Sequence, residues 1–415
     1  RDLIYEINLK NQGRIFTVYF INIRVSNNLI YLKKTKMIIA IPKENNSNET
    51  RVSCSPSSIK SLIKSGFKVN IEKDAGLKSF YTDKEFEESG GKIVSNPEKL
   101  FSESDIIIKV NPPSVEEIKL FKDKCVYISF FQTSRSLNEV KALTEKSITG
   151  FSMHLIPRTT LAQKMDALSS QANIAGYKSV LMAATRLGVY MPLLMTAAGT
   201  IRPAKVLILG AGVAGLQAIA TAKRLGSQVE VFDVRPIVKE QVESLGAKFI
   251  EVESTSDEGV GEGGYAKETS DEYKKKQQDL IHEHISKSNI VITTALIPGK
   301  PAPLLIPKDM VESMAPGSII MDLAAENGGN CELTQKDKVI IHNHVTIDGT
   351  SNIPGLMPVH ASELYGKNVS AFLTYMAKEG SLNIDLEDEI ISGSMFTHQG
   401  KITNQQTKQA LEELK

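Results

Sequence analysis

An α/β fold built on parallel sheets is what the sequence predicts, and three observations predict it. Short apolar runs suited to buried strands alternate with helical patterns along most of the chain. One of these runs, residues 206–209, opens directly into Gly210, Gly212 and Gly215, a G-x-G-x-x-G turn at the mouth of a helix. The third is length, since 415 residues exceed one ordinary core and two or three domains are expected. Composition agrees with a globular protein, with 41% hydrophobic and 23% charged residues. A formal net charge of +1 gives no argument for a nucleic-acid partner. Cys54, Cys125 and Cys331 are too few and too scattered for a disulfide framework or a zinc site, which points to a reducing compartment.

The chain begins at Arg1, which is not an initiator, so the sequence reads as cut from something longer. The apolar run 15–23 is broken by Asn22 and Arg24, well short of the about 20 residues of a membrane span. Residues 1–36 therefore read as an extension: a hairpin turning at Asn27-Asn28, a linker, or, from Lys33, Lys34 and Lys36, the end of a targeting segment. Organised structure is expected from Met37, with a strand turning at Pro42 and a helix 57–65 stopped by Gly66. Strands follow at 69–72, at 106–110 before Asn111-Pro112-Pro113, and at 126–131 before a polar helix 136–146. This first domain, 37–165 with 357–403, carries no glycine fingerprint of its own.

From Asp166 the pattern is helical, with Leu168, Ala172, Ala175 and Met182 on one stripe, small enough to press against a neighbour. Arg158, Gln163, Asp166 and Ser169 flank its first turn, at the junction between the first domain and a second, 166–356. Two readings stand side by side: these residues face the cleft between the domains, or Asp166 and Ser169 cap the helix.

In the second domain the glycines have separate tasks. Gly210 makes the tight turn, Gly212 admits a pyrophosphate to the backbone, and Gly215 lets helix and strand pack closely. The free amides at the helix start, beside Val213 and Ala214, point at the phosphates. A second strand, 229–232, ends in Asp233, where a carboxylate binds both ribose hydroxyls and repels a 2′-phosphate. The stretch thus reads as a site for NAD(H) more than NADP(H), although Arg235 weakens the preference. A helix to Leu245 and a strand 248–252 follow. The acidic, glycine-rich segment 253–270, with Gly264 and Tyr265, reads as a lid over bound nucleotide.

Strands at 290–293 and 318–323 end in loops that place Leu296, Asp322 and Asn327 near a nicotinamide ring. His282 and His284 point apart on a helix, whereas His342 and His344 share a strand face without a third ligand, so no metal site is expected. Residues 345–356 read as the exit from the second domain, 358–378 as a helix returning to the first, and 404–415 as a polar helical tail. No membrane span is read anywhere in the chain.

The stretches KMDALSSQANIAGY, GAGVAGLQAIATAKRLG, GGYAKE, TTALIPGKPAP, MDLAAENGGNCE and Leu364-Tyr365-Gly366 resemble the NAD(H)-binding domain of proton-translocating nicotinamide nucleotide transhydrogenases, a family sharing its fold with alanine dehydrogenase. The resemblance runs from about residue 37 to about 403. It implies two Rossmann-like doubly wound domains with a cleft between them, the first completed by C-terminal residues, and a homodimer. It implies that Arg158, Gln163, Asp166 and Ser169 hold the nicotinamide and its ribose, with Gln163 reaching toward NADP(H) on a partner domain. It further implies that Asp233, Val234 and Arg235 hold the adenosine ribose, that Gly264 and Tyr265 close over the nucleotide, and that Gln277 and Leu296 line the site. The partners implied are an NADP(H)-binding domain and a proton-channel membrane domain. The chain would then lie on the reducing side of an energy-transducing membrane, mitochondrial inner or bacterial, and would not turn over alone.

Two other readings remain at this stage. Arg51 and Lys109 stand where alanine dehydrogenase keeps its carboxylate and carbonyl ligands, but that chemistry also needs a proton shuttle. No histidine occurs from Cys125 to Gly150, and His154 is the nearest. The third reading is a non-catalytic NAD-binding module.

Overall fold

A computed structural model of the chain describes residues 4–11, 14–21, 36–251, 271–297, 300–378 and 380–413. Residues Arg1–Lys36 form a unit of their own. Within it Ile4–Asn11 pairs antiparallel with Arg14–Ile21, Asn11 facing Arg14. Asn27 and Asn28, where a hairpin turn is expected, lie outside the described residues.

The rest is two α/β domains, as expected. The first holds an eight-stranded sheet in the order Lys401–Ile402, Met395–His398, Thr149–Ser152, Val126–Ser129, Ile106–Ile108, Ile38–Ile41, Lys68–Glu72 and Lys92–Val94. The last six of these run parallel, and the two C-terminal strands join antiparallel at the Thr149–Ser152 edge. Alternation along Ile38–Ile41 explains the two-sided burial. Ile39 and Ile41 face the core under Pro56–Lys64 and Pro358–Met376, and Ala40 faces Phe101, Tyr127 and Phe131 on the other side. The tail is part of this packing: in Gln405–Glu412 the buried Thr407 donates to Thr133 Oγ1 at 2.6 Å.

The second domain holds a seven-stranded sheet ordered Lys248–Ile250, Gln228–Phe232, Lys205–Leu209, Ile290–Thr293, Ile319–Asp322, Val345–Asp348 and Val339–His342. The first five strands form the 3-2-1-4-5 series of a doubly wound sheet, whose order reverses between Lys205–Leu209 and Ile290–Thr293. Residues 345–356 are not simply an exit, because Val345–Asp348 pairs parallel with Ile319–Asp322 inside the sheet. His342 and His344 do not share a strand face. Val339–His342 ends at His342, and Asn343 and His344, both at positive φ (46° and 61°), form the turn into Val345–Asp348.

One helix joins the domains. Ala167–Arg186 begins in the first core, with Met165 and Ala167 buried there, and ends in the second, with Val180 and Ala183 buried. Arg186 in its last turn pairs with the buried Asp348. Midway it presses on the first turn of the helix Val213–Arg224 so closely that a Cβ at Gly176 would run into the Ala214 carbonyl. Asn173 Nδ2 also donates to Gln217 Oε1 at 3.1 Å. Because the obstacle is backbone, Gly176→Ala should cost about 1–3 kcal/mol by forcing the helix away. Urea unfolding should report that loss, whereas an unchanged midpoint would mean that the helix moves freely.

Candidate functional site

The carboxyl ends of strands Lys205–Leu209 and Ile290–Thr293 flank the crevice where an open parallel sheet binds its ligand. Gly210 has φ +107°, in the left-handed region, and the Thr294 hydroxyl donates to its carbonyl at 3.1 Å. A Cβ at Gly215 would strike the Gly210 carbonyl, so the helix Val213–Arg224 starts tight against the strand. Above Gly212, by contrast, nothing lies within 4 Å of a Cβ. No side chain caps this 12-residue helix, and its start points into that open space. A cradle of backbone donors with room over Gly212 fits a pyrophosphate.

Asp233 follows Gln228–Phe232 and is 9% exposed. Its Oδ2 accepts from Ala211 N at 2.7 Å and from Arg235 Nη2 at 2.9 Å. Oδ1 accepts from Arg235 N and Arg235 Nε, both at 2.9 Å. A carboxylate offers about four acceptor positions, and all four are used. Two donors are backbone and permanent, while the other two belong to one guanidinium, one on each oxygen. If that guanidinium swings out, one acceptor is released on each oxygen, which is what a vicinal diol needs.

About 15 Å toward the first domain, ten residues of helix before Gly176, lies Asp166. It caps Ala167–Arg186: Oδ1 accepts from Ser169 N at 2.9 Å and Oδ2 from Ser169 Oγ at 2.6 Å. The capping reading of these two residues therefore describes what they do in the fold, and both remain half-exposed at the helix mouth. Gln163 and Arg158 are exposed on the loop before it. The loop is anchored to the first domain by Met165 in its core and by Asn368 Nδ2 donating to Lys164 O at 2.9 Å.

The other expected lining residues are placed unevenly. Val213 and Leu296 are exposed at the crevice, and Ala214 and Val234 are half-buried. Gln277 stands on Asp271–Ile285, one turn before Ile281, which packs under the sheet. The lid segment 253–270, with Gly264 and Tyr265, lies outside the described residues. Asp322 is not available to a ligand. Its oxygens accept from Thr293 Oγ1, Ala324 N, Asn330 N, Cys331 N and Thr334 Oγ1 at 2.6–3.1 Å, which makes it the organiser of the 322–334 turn. Asn327, half-buried in that turn, does remain at the surface.

Sequence reasoning gave Arg51 and Lys109 only a comparative role, and the structure places both in closed, buried pairs. Arg51 grips Glu49 through Nε (2.8 Å) and Nη2 (2.7 Å), and Lys109 Nζ lies 2.6 Å from Glu117 Oε1. Burial opposes ionisation of Glu49, but its bonds to Arg51 hold the carboxyl below its ordinary range. Burial raises Glu44 beside them. Burial also pushes the thiols of Cys54 and Cys125 up to about 12 and that of Cys331 to about 11, so none is a nucleophile at neutral pH. Among the described residues no group of three or more His, Cys, Asp or Glu is arranged for a metal ion.

A doubly wound sheet with a glycine fingerprint, an open cradle of backbone amides and a carboxylate at the end of the second strand defines a dinucleotide-binding protein of two α/β domains. Family models for the N-terminal and C-terminal domains of alanine dehydrogenase/PNT match residues 40–175 and 179–405, and the chain belongs to that family. The chain is 45% identical over 376 residues to the first piece of the divided NAD(P) transhydrogenase subunit alpha of Rhodospirillum rubrum, covering 89% of this chain and 98% of the relative. It is 45% identical over 368 residues to NAD(P) transhydrogenase subunit alpha of Haemophilus influenzae, covering 88% and 71%. The alanine dehydrogenase of Methanococcus maripaludis is 27% identical over 378 residues, covering 88% and 94%. Among solved structures, a transhydrogenase from Sinorhizobium meliloti superposes with TM-score 0.80 at 44% identity, covering 88% of this chain and 99% of that one. An L-alanine dehydrogenase at 24% identity shares the fold, with TM-score 0.77 and coverages of 91% and 100%.

Asp233→Asn keeps an oxygen for the Ala211 amide but removes the charge. NADH affinity should fall about 10- to 100-fold, and discrimination against NADPH should narrow. Fluorescence titration with both nucleotides measures this, and an unchanged NADH affinity would remove Asp233 from the site.

Proposed function

We propose that this chain is the NAD(H)-binding component of a proton-translocating transhydrogenase. It holds the nicotinamide of NADH so that hydride passes directly to NADP+ carried by a partner domain, leaving NAD+ here and NADPH there. What carries the reading is near end-to-end similarity, at 45% identity, to a transhydrogenase subunit alpha chain, together with an NAD-fitted crevice. NADH supplies the hydride, and the residues here need only bind, orient and exclude water. In this reading the cradle at Gly210, Gly212 and Gly215 takes the pyrophosphate, and Asp233, with Arg235 displaced, takes the adenosine ribose. Gly264 and Tyr265 cover the nucleotide, with Gln277 and Leu296 at its sides. Asp166 and Ser169 at the helix mouth, with Arg158, hold the nicotinamide and its ribose. Gln163, exposed on its loop, reaches toward the partner's NADP(H).

The alanine dehydrogenase alternative asks more of the chain. Arg51 and Lys109 would have to give up Glu49 and Glu117 to bind a substrate carboxylate and carbonyl, leaving carboxylates buried without partners. His154, whose ring is tilted against that of Phe130 at 5.1 Å, is held by burial, and secondarily by Arg135, at about 4. It is therefore neutral at physiological pH and does not stand charged as an imidazolium acid.

The chain pairs with a second copy and works against a membrane-embedded partner. An antiparallel hairpin, Leu194–Thr196 with Gly199–Ile201, carries exposed Met195 and Ile201, and exposed Val189, Tyr190 and Leu193 precede it. Such an apolar arm fits a homodimer contact. Among the described residues no helix is long and apolar enough to cross a membrane, so the proton path is assigned to a partner domain.

The test is a paired assay. NADH should bind to the chain alone, and hydride transfer to an NADP analogue should require an added transhydrogenase NADP(H)-binding domain. Gln163→Asn should slow transfer about 100-fold while moving the NADH Kd by less than about threefold. Reduction of NAD by alanine with the chain alone would overturn the reading.

A further inference from the structure

We infer that Arg51 and Gln171 are positioning residues for hydride transfer, a buried strut that sets the first turn of Ala167–Arg186, and with it Asp166 and Ser169, against the first domain; the inference rests on the transhydrogenase reading above. Arg51 follows the strand Ile38–Ile41 and its side chain is 9% exposed. With two donors on Glu49, it turns its remaining arm outward: Nη1 donates to Gln171 Oε1 at 2.9 Å. Gln171 is buried, five residues after Asp166 and two after Ser169. Its Nε2 donates to Ala361 O at 3.0 Å on Pro358–Met376. One amide thus uses both of its ends to tie together three elements far apart in sequence.

The Glu49 end of the strut is equally fixed. Glu49 accepts from Arg51 N at 2.9 Å and from Asn111 Nδ2 at 2.9 Å, and Asn111 donates in turn to Glu44. An apolar side chain at position 171 would fill the same space but would not specify rotation of the helix about its axis. The Gln171 amide does, since turning the helix breaks one bond or the other. Rotation at Gln171 would carry Asp166 and Ser169 with it, about 3–8 Å along the same axis. Hydride transfer between two rings is far more sensitive to small displacements than is binding of the dinucleotide, most of whose contacts lie beyond Gly176.

The experiment uses the full chain with Gln171→Met, Arg51→Lys, the double variant and Gln171→Glu, which keeps an acceptor for Arg51. Single-turnover hydride transfer to an NADP analogue with an added NADP(H)-binding domain, NADH titration and thermal unfolding are measured for each. Q171M and R51K should each slow transfer about tenfold or more while the NADH Kd stays within about threefold. The double variant should be no slower than the slower single variant, because both break one strut, and Q171E, which keeps the acceptor for Arg51 but has no donor for Ala361 O, should also slow transfer while leaving the NADH Kd within about threefold. Parental transfer rates in Q171M or R51K, a proportional loss of NADH affinity, or losses that multiply in the double variant would each overturn the inference. Absence of transfer by the parent itself would instead sink the transhydrogenase reading.

Discussion

Everything near the crevice depends on how closely the helix Ala167–Arg186 approaches the first turn of the fingerprint helix Val213–Arg224. Only a residue without a side chain fits at position 176, where a Cβ would overlap the Ala214 carbonyl. That contact makes one rigid rod serve two domains, its start buried with Met165 and Ala167 and its end with Val180, Ala183 and the Arg186–Asp348 pair. Twenty residues of helix span about 30 Å. The contact lies midway, so the cradle sits about 15 Å along the axis from Asp166 and the loop that carries Gln163.

Charge is managed differently at the two ends of that rod. In the first domain Arg51 with Glu49 and Lys109 with Glu117 are buried pairs, and opening either would strand a carboxylate out of water. In the second domain Asp233 is paired with Arg235, whose side chain is 24% exposed, so the guanidinium has water to move into. The more accessible pair thus lies at the crevice, and the two buried pairs lie in the body of the first domain.

Much of this was legible in the sequence, for local reasons. The fingerprint, its flanking strands and Asp233 are a contiguous stretch whose spacing dictates the turn, and Asp166 followed by Ser169 three residues later is an N-cap pattern read from spacing alone. What escaped depended on distant partners. Arg51 and Gln171 are 120 positions apart, and nothing local to either announces the bond between them. Val345–Asp348 has only two inward apolar residues, and it becomes a strand because Ile319–Asp322 offers it an edge. His342 and His344 fit a strand alternation until Asn343 and His344 are seen to take the left-handed conformations of a turn. Asp322 sits at a strand end where ligands gather, yet the polypeptide folds five donors around it. The apolar residues of the 194–201 hairpin have no helical or strand periodicity long enough to detect.

The central claim, that one helix fixes the distance from the phosphate cradle to the nicotinamide loop, is tested most directly by a crystal structure of the chain with NADH. Pyrophosphate oxygens should lie within hydrogen-bonding reach of the backbone amides at Gly212 and Val213. Arg235 should be drawn away from Asp233, and the nicotinamide ring should lie at the helix mouth beside Asp166 and Ser169. A ring lodged away from that mouth, with the pyrophosphate in its cradle, would contradict the claim.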